Sequence, residues 1–158
     1  FNALKNDYQT LGGSFEVFHY TQVLAKHTGS LSFGDNLPEV TVTYHDPCYL
    51  GRHNGAYGSA RKVLAALPGV KIREMDRSMQ NALCCGGGGG NLFTDILGNG
   101  PESPAQNRVT EALETDAHIL AVSCPSCAVM LEDTVKSTNL DGRIQVREIS
   151  EIVNSRLE

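Results

Sequence analysis

Cys84 and Cys85 stand side by side and run directly into five consecutive glycines, Gly86 to Gly90. Each glycine inside a helix or strand costs roughly 0.5–1 kcal/mol relative to alanine, so five in a row mark a loop and exclude regular structure. That loop concentrates two thiols beside backbone that reaches φ > 0 without a Cβ clash. The other thiols are Cys48, 35 residues before the pair, and Cys124 and Cys127, with 37 residues between Gly86 and Cys124. A total of five is odd, which argues against a closed disulfide framework in a secreted protein.

The 158 residues suit one domain, and 41% apolar residues suffice for a single core. Thirteen Lys+Arg against 18 Asp+Glu give a net charge of −5, which removes the positive footprint of a nucleic-acid binder. The longest apolar runs, Val63 to Leu67 among them, are five residues, against the ~20 that a membrane-spanning helix needs. Residues 1 to 20 lack the basic start, apolar stretch and cleavage site of a signal peptide. The first residue is Phe1, which fits a processed product or a piece of a longer chain.

The pattern along the chain alternates helices and strands. Residues 14 to 28 read as a helix capped by Ser14, with Val17, Tyr20, Thr21 and Leu24 on one face and Gly29 as its stop. Residues 30 to 38 are polar and hold Gly34 and Pro38, a linker, so that 1–38 forms an N-terminal helix and linker packed on a main domain of 39–158. Val40 to Tyr44 is β-branched and aromatic, hence strand-like, and Asp46-Pro47 ends it just before Cys48. A helix over 58–67, a short strand from Val70 to Met75 and an ambiguous stretch from Asp76 to Leu83 follow. Ser103-Pro104-Ala105-Gln106 reads as a capping box with proline at the first helical position, opening a helix with Val109, Ala112 and Leu113 inward. A strand from His118 to Val122 then leads through Cys124-Pro-Ser-Cys127 into another helix. A strand from Ile144 to Ile149 and a helix over 150–157 close the chain.

Alternation of this kind predicts an α/β fold, a Rossmann-like mostly parallel sheet with helices on both faces. In such sheets the functional crevice lies outside the carboxyl ends of the strands. Cys48, Cys124 and Cys127 all follow strands, so the cysteine-bearing loops are expected at that edge, and the Cys84-Cys85 loop can reach it.

Thiolates are soft ligands suited to iron–sulfur clusters and zinc, and two cysteines separated by two residues can turn toward one centre. At a helix start, free N–H groups and the positive dipole end favour the thiolate. Adjacent cysteines normally point apart, so joint ligation by Cys84 and Cys85 needs a multinuclear centre or a bent backbone, which the glycines permit. Bare N–H groups such as those of Gly86 and Gly87 can also hydrogen-bond cluster sulfurs. Four readings stand: an iron–sulfur cluster on all five thiols, a four-ligand structural zinc site, a dithiol at Cys124/Cys127, or inert buried thiols. The last explains neither the adjacency nor the glycines.

The words Tyr44-His-Asp-Pro-Cys-Tyr-Leu-Gly-Arg-His53, Cys84-Cys-Gly-Gly-Gly-Gly-Gly90 and Cys124-Pro-Ser-Cys127 followed by Met130-Leu-Glu-Asp133 carry a resemblance over about residues 40 to 153. The chain resembles the cysteine-rich "CCG" domain of heterodisulfide reductase B/D subunits and related iron–sulfur oxidoreductases, and looks nearest to the carboxyl-terminal copy in D-like subunits. That resemblance implies a non-cubane [4Fe–4S] cluster on Cys48, Cys84, Cys85, Cys124 and Cys127, with zinc as the alternative metal. It implies electron transfer, and disulfide reduction where a second CCG domain faces the first. Implied partners are that second domain, an iron–sulfur protein or a flavoprotein, in the cytoplasm or at the inner face of a membrane through partner subunits. Only one motif is present in 158 residues, so one chain supplies half of a two-cluster site. The reading from a different class is a zinc-stabilised interaction domain.

His45 and His53 flank Cys48 as candidate hydrogen-bond donors to the centre, with stabilisation of the strand-to-loop turn as the plainer role of His45 and Asp46. Arg52 with Asn54 and Gly55 is a candidate for binding an anionic substrate or partner, with surface solvation as its plainer role, and Pro47 and Pro125 stiffen the loops beside two cysteines. His19, His27 and His118 carry no pattern. The glycine run lacks the Lys-Ser/Thr ending of a phosphate loop.

Overall fold

The computed structural model describes residues 1–94, 96–98 and 100–158. A π-helical turn (Ala3–Asp7) and a 3-10 turn (Tyr8–Leu11) open the chain. Helix α1 (Tyr20–His27) precedes strand β1 (Val40–Tyr44), helix α2 (Gly58–Ala66) and strand β2 (Val70–Ile72). The short helix α3 (Asn91–Thr94) follows the glycine run. Helix α4 (Pro104–Glu114), strand β3 (Ile119–Val122), helix α5 (Pro125–Ser137), strand β4 (Gln145–Glu148) and helix α6 (Ile149–Asn154) complete the order.

All strand pairs are parallel, in the order β2-β1-β3-β4. Val42 sits at the centre, opposite Ile72 on one side and Ile119 on the other. Side chains along β3 alternate between two cores, as the two-residue period of a strand requires. Leu120 and Val122 pack with Val109 and Ala112 of α4 and Leu131 and Val135 of α5. Ala121 joins Val42 and Tyr44 against Val63 and Leu64 of α2, Ile152 and Val153 of α6 and Ala25 of α1. Both faces of the sheet are therefore covered, and truncating a fully buried residue such as Leu120 or Leu131 to alanine costs about 2–5 kcal/mol. β1 and β3 are neighbours whose chains leave toward opposite faces, into α2 and α5, so the switch point that forms a crevice lies between their carboxyl ends.

Several boundaries differ from the expectation, each for a local reason. The first helix begins at Tyr20, because His19 and not Ser14 caps it: His19 Nδ1 accepts from the Thr21 N–H at 3.4 Å, and Gln22 Oε1 accepts from the His19 N–H at 2.8 Å. Strand β2 stops at Ile72, and Met75 turns into the core on the α4/α5 side. Ser103 caps α4 by accepting from the Gln106 N–H at 3.3 Å, but the reciprocal half of the box is replaced by the Ser103 N–H donating to Gly100 O at 2.8 Å. Val109 and Ala112 are buried on the inward face of α4 as expected and Leu113 packs, partly buried, against the same core, but that face also holds the charged Arg108 and Glu111. Helix α6 runs from 149 to 154, since Glu148 and Glu151 cap its start and Leu157 leaves to pair with Phe33. That pairing, with Arg156 Nη1 donating to Pro38 O at 2.8 Å, pins the 30–38 stretch against the carboxyl terminus.

Candidate metal centre

β1 delivers Cys48. The His45 N–H donates to Ala121 O at 2.9 Å, extending the β1/β3 ladder by one residue before Pro47 turns the chain. The Asp46 carboxylate, nearly fully buried, accepts from Arg61 of α2 at 2.7 and 2.9 Å and from the Met79 N–H at 2.8 Å. Arg52 Nη2 donates to Ala82 O at 2.9 Å. These two ties hold the loop after β1 against the segment that enters Cys84, so half-buried Cys48 and Cys84 line one small cavity. Arg52 thereby has a structural bond, and Asp46 holds the turn as its plainer role predicted.

β3 delivers the second pair. Ser123 is fixed to Tyr44 by a 2.7 Å hydroxyl contact, Cys124 is the cap residue of α5, and Pro125 occupies the first helical position. One turn on, Cys127 is buried. Cys124 is pulled down to about 6, chiefly by the neighbouring Cys127 thiol and further by the N–H groups of Cys127 and Ser126 at the helix start.

Cys85 Sγ and Cys127 Sγ are in contact at 3.2 Å, which brings the glycine loop to the first turn of α5. Cys127 and Cys84 hold the Cys85 thiol well below the usual thiol range, with a smaller contribution from His45. Cys84 rises, mainly through donating to Cys85 and through burial, and Cys127 rises through its contacts with Cys124 and Cys85.

The glycines divide by role. Gly86 takes φ +82°, and its N–H donates to Cys84 Sγ at 3.3 Å. A Cβ on Gly87 would lie 2.8 Å from Met130 Cγ and 3.7 Å from Cys85 Sγ, so the backbone passes too close to α5 for a side chain. Around Gly88, Gly89 and Gly90 there is open space.

A ring nitrogen of His45 lies within 4.8 Å of the sulfurs of Cys85 and Cys127, and all three residues are buried. His45 thus joins the thiols, whereas His53 stacks on Tyr49 at 4.8 Å on the exposed side of the loop. Arg108, fully buried, donates from Nε to His45 Nδ1 at 3.1 Å and from Nη1 to Glu111 Oε2 at 2.8 Å. The sequence reading missed this pair. Its signal was a charged residue on the inward stripe Ala105, Arg108, Val109, Ala112.

The family model for CCG, a cysteine-rich domain, matches residues 42–132, more than half of the chain. The chain belongs to the CCG cysteine-rich domain family. The matched span of this CCG domain contains all five cysteines, His45, Arg108 and Glu111. It is 41% identical to the D subunit of the dihydromethanophenazine:CoB–CoM heterodisulfide reductase of Methanosarcina barkeri, over 99% of this chain and 38% of the relative. It is 36% identical to the probable iron-sulfur-binding oxidoreductase FadF of Bacillus subtilis, over 97% of this chain and 22% of that protein. It is 35% identical to the EtfAB:quinone oxidoreductase of Syntrophomonas wolfei, over 100% of this chain and 23% of the relative. The CCG chain therefore spans less than two fifths of the length of these relatives.

The donor set of this CCG domain fits a metal or iron–sulfur centre. Five thiols arrive from three segments at one sheet edge, and a ring nitrogen of His45 and the sulfurs of Cys85 and Cys127 stand within 4.8 Å of one another. Beside Cys124 a cavity of about 290 Å³ opens, lined by His19, Pro47, Tyr49 and Leu50 among others. Among the described residues no helix is long and apolar enough to cross a membrane.

Proposed function

We propose that this CCG domain is an iron–sulfur electron-transfer module of a heterodisulfide-reductase-like oxidoreductase. Cys48, Cys84, Cys85, Cys124 and Cys127 hold one centre, a non-cubane [4Fe–4S] cluster, and Gly86 and Gly87 form its close backbone wall. The observation that carries this reading is the meeting of the glycine loop with α5, where Cys85 Sγ and Cys127 Sγ stand 3.2 Å apart beneath backbone that admits no side chain. Such a group supplies one-electron storage when bound. The chain's own residues prepare for it: the α5 start favours the Cys124 thiolate, the Gly86 N–H donates to Cys84 Sγ, and Asp46 and Arg52 hold the Cys48 loop in register.

Partners follow from the same reading. A second CCG domain facing the first would complete a two-cluster site for disulfide cleavage, and an iron–sulfur protein or flavoprotein would supply electrons. The heterodisulfide reductase relative from Methanosarcina barkeri, of which this chain spans 38%, supports a parent assembly of this kind. In that setting the domain works in the cytoplasm, or at a membrane's inner face where a partner anchors it.

The second reading is a structural zinc ion, favoured by the buried trio His45, Cys85 and Cys127. Redox titration of anaerobically reconstituted protein, followed by electron paramagnetic resonance, separates the two. A reversible one-electron couple supports the cluster, and a spectroscopically silent protein overturns it.

A further inference from the structure

His45 and Arg108 stand 63 residues apart in sequence, and each is at most 1% exposed. A guanidinium only donates, so the nitrogen it contacts must offer a lone pair. Arg108 Nε donates to His45 Nδ1, which places the ring hydrogen on Nε2. Arg108 is itself immobilised, since Nη1 donates to Glu111 Oε2 at 2.8 Å and to Arg77 O at 2.7 Å. The Glu111 carboxylate, which also pairs with Arg77, neutralises the buried cation.

His45 Nε2 is buried and has no hydrogen-bond partner among the described residues. Leaving a buried donor unsatisfied is costly, about 1–3 kcal/mol, so something near it should accept. The groups at hand are the sulfurs of Cys85 and Cys127, within 4.8 Å of a ring nitrogen, and Nδ1 is already engaged.

We propose that Arg108, held by Glu111, locks His45 in its Nε2–H tautomer, so that the ring presents a single N–H donor to the buried sulfurs of Cys85 and Cys127. Arg108 and Glu111 are positioning residues that act through His45. Where either sulfur ligates a cluster, a hydrogen bond to it stabilises the more negative, reduced state and raises the reduction potential. That consequence rests on the cluster reading above. The tautomer itself does not.

Two-bond ¹H–¹⁵N correlation spectra of the metal-free wild-type protein at neutral pH read the tautomer without any variant. Nε2–H alone is expected at His45, and Nδ1–H or a mixture overturns the proposal. The double variant Arg108→Met, Glu111→Met, which leaves no unpaired charge between these two, should turn the single tautomer into a mixture. An unchanged Nε2–H signal removes Arg108 from the account. In cluster-loaded protein His45→Leu should shift the midpoint potential downward, by about a tenfold change in the oxidised-to-reduced ratio, ~59 mV for one electron. An unchanged potential contradicts the fixed donor. A wild-type protein that takes up no iron overturns the functional reading, and the tautomer spectrum still decides the orientation of His45.

Discussion

Cys85 Sγ lies 3.2 Å from Cys127 Sγ, joining a loop that begins the glycine run to the first turn of α5, 42 residues further along the chain. Disulfide formation needs the sulfurs to close to ~2.05 Å, a small movement from this contact. Treating metal-free protein with diamide, which takes up the two hydrogens as the S–S bond forms, should link Cys85 to Cys127. Non-reducing peptide mapping should show the link lost in Cys85→Ser and kept in Cys84→Ser. The opposite pattern would contradict the placement of the loop.

Two neighbouring glycines should respond differently to alanine. At Gly87 the new Cβ meets Met130 Cγ at 2.8 Å, whereas at Gly88 it meets nothing within 4 Å. Overpacking of this kind costs about 1–3 kcal/mol, so Gly87→Ala should lower stability by that amount and reduce metal uptake. Gly88→Ala should leave both unchanged. Equal effects in urea unfolding would show that the loop does not pass against α5.

Arg61 should matter far more than the surface pairs. Removing one partner of a buried ion pair leaves an uncompensated charge, at about 3 kcal/mol or more, and Asp46 has a side chain only 3% exposed. Arg61→Met is expected to show that loss by denaturant titration. Lys71→Ala breaks the exposed pair with Glu39 and should cost about 1 kcal/mol or less. A small effect at Arg61 would mean that Asp46 is more hydrated than the structure shows.

Glu148 gives a pH dependence of definite sign. Partial burial raises its carboxyl above the ordinary value, with Glu151 adding to the rise and the Tyr20 hydroxyl, which donates at 2.6 Å, opposing it. A raised folded-state value means that the stabilising contribution is fully present below the unfolded value and is lost as pH rises through the folded one. Glu148→Gln lacks this titration, so its stability relative to wild type should improve as pH rises from acid to neutral. Thermal unfolding across that range checks the sign, and a trend in the other direction would contradict it.

Much of this architecture was legible in residue patterns. The alternation of β-branched strands with helical apolar spacing set the parallel sheet, and Asp46-Pro47 and Ser123-Cys124 marked the strand ends that carry thiols. Boundaries were less legible, because they depend on distant contacts: α6 ends where Leu157 turns to reach Phe33, and β2 ends where Met75 dives into the other core. His45 was recognisable as a neighbour of Cys48, yet its partners were not. Arg108 and Glu111 come from another helix, and local sequence carries no record of which buried charge will meet which ring. The division between Gly87, pressed against Met130, and Gly88, in open space, also emerges only from packing.

The most direct measurement is the metal and sulfide content of protein prepared without oxygen. Several irons per chain with matching acid-labile sulfide, both diminished in Cys85→Ser, are the predicted result. One zinc per chain with no sulfide would contradict the account.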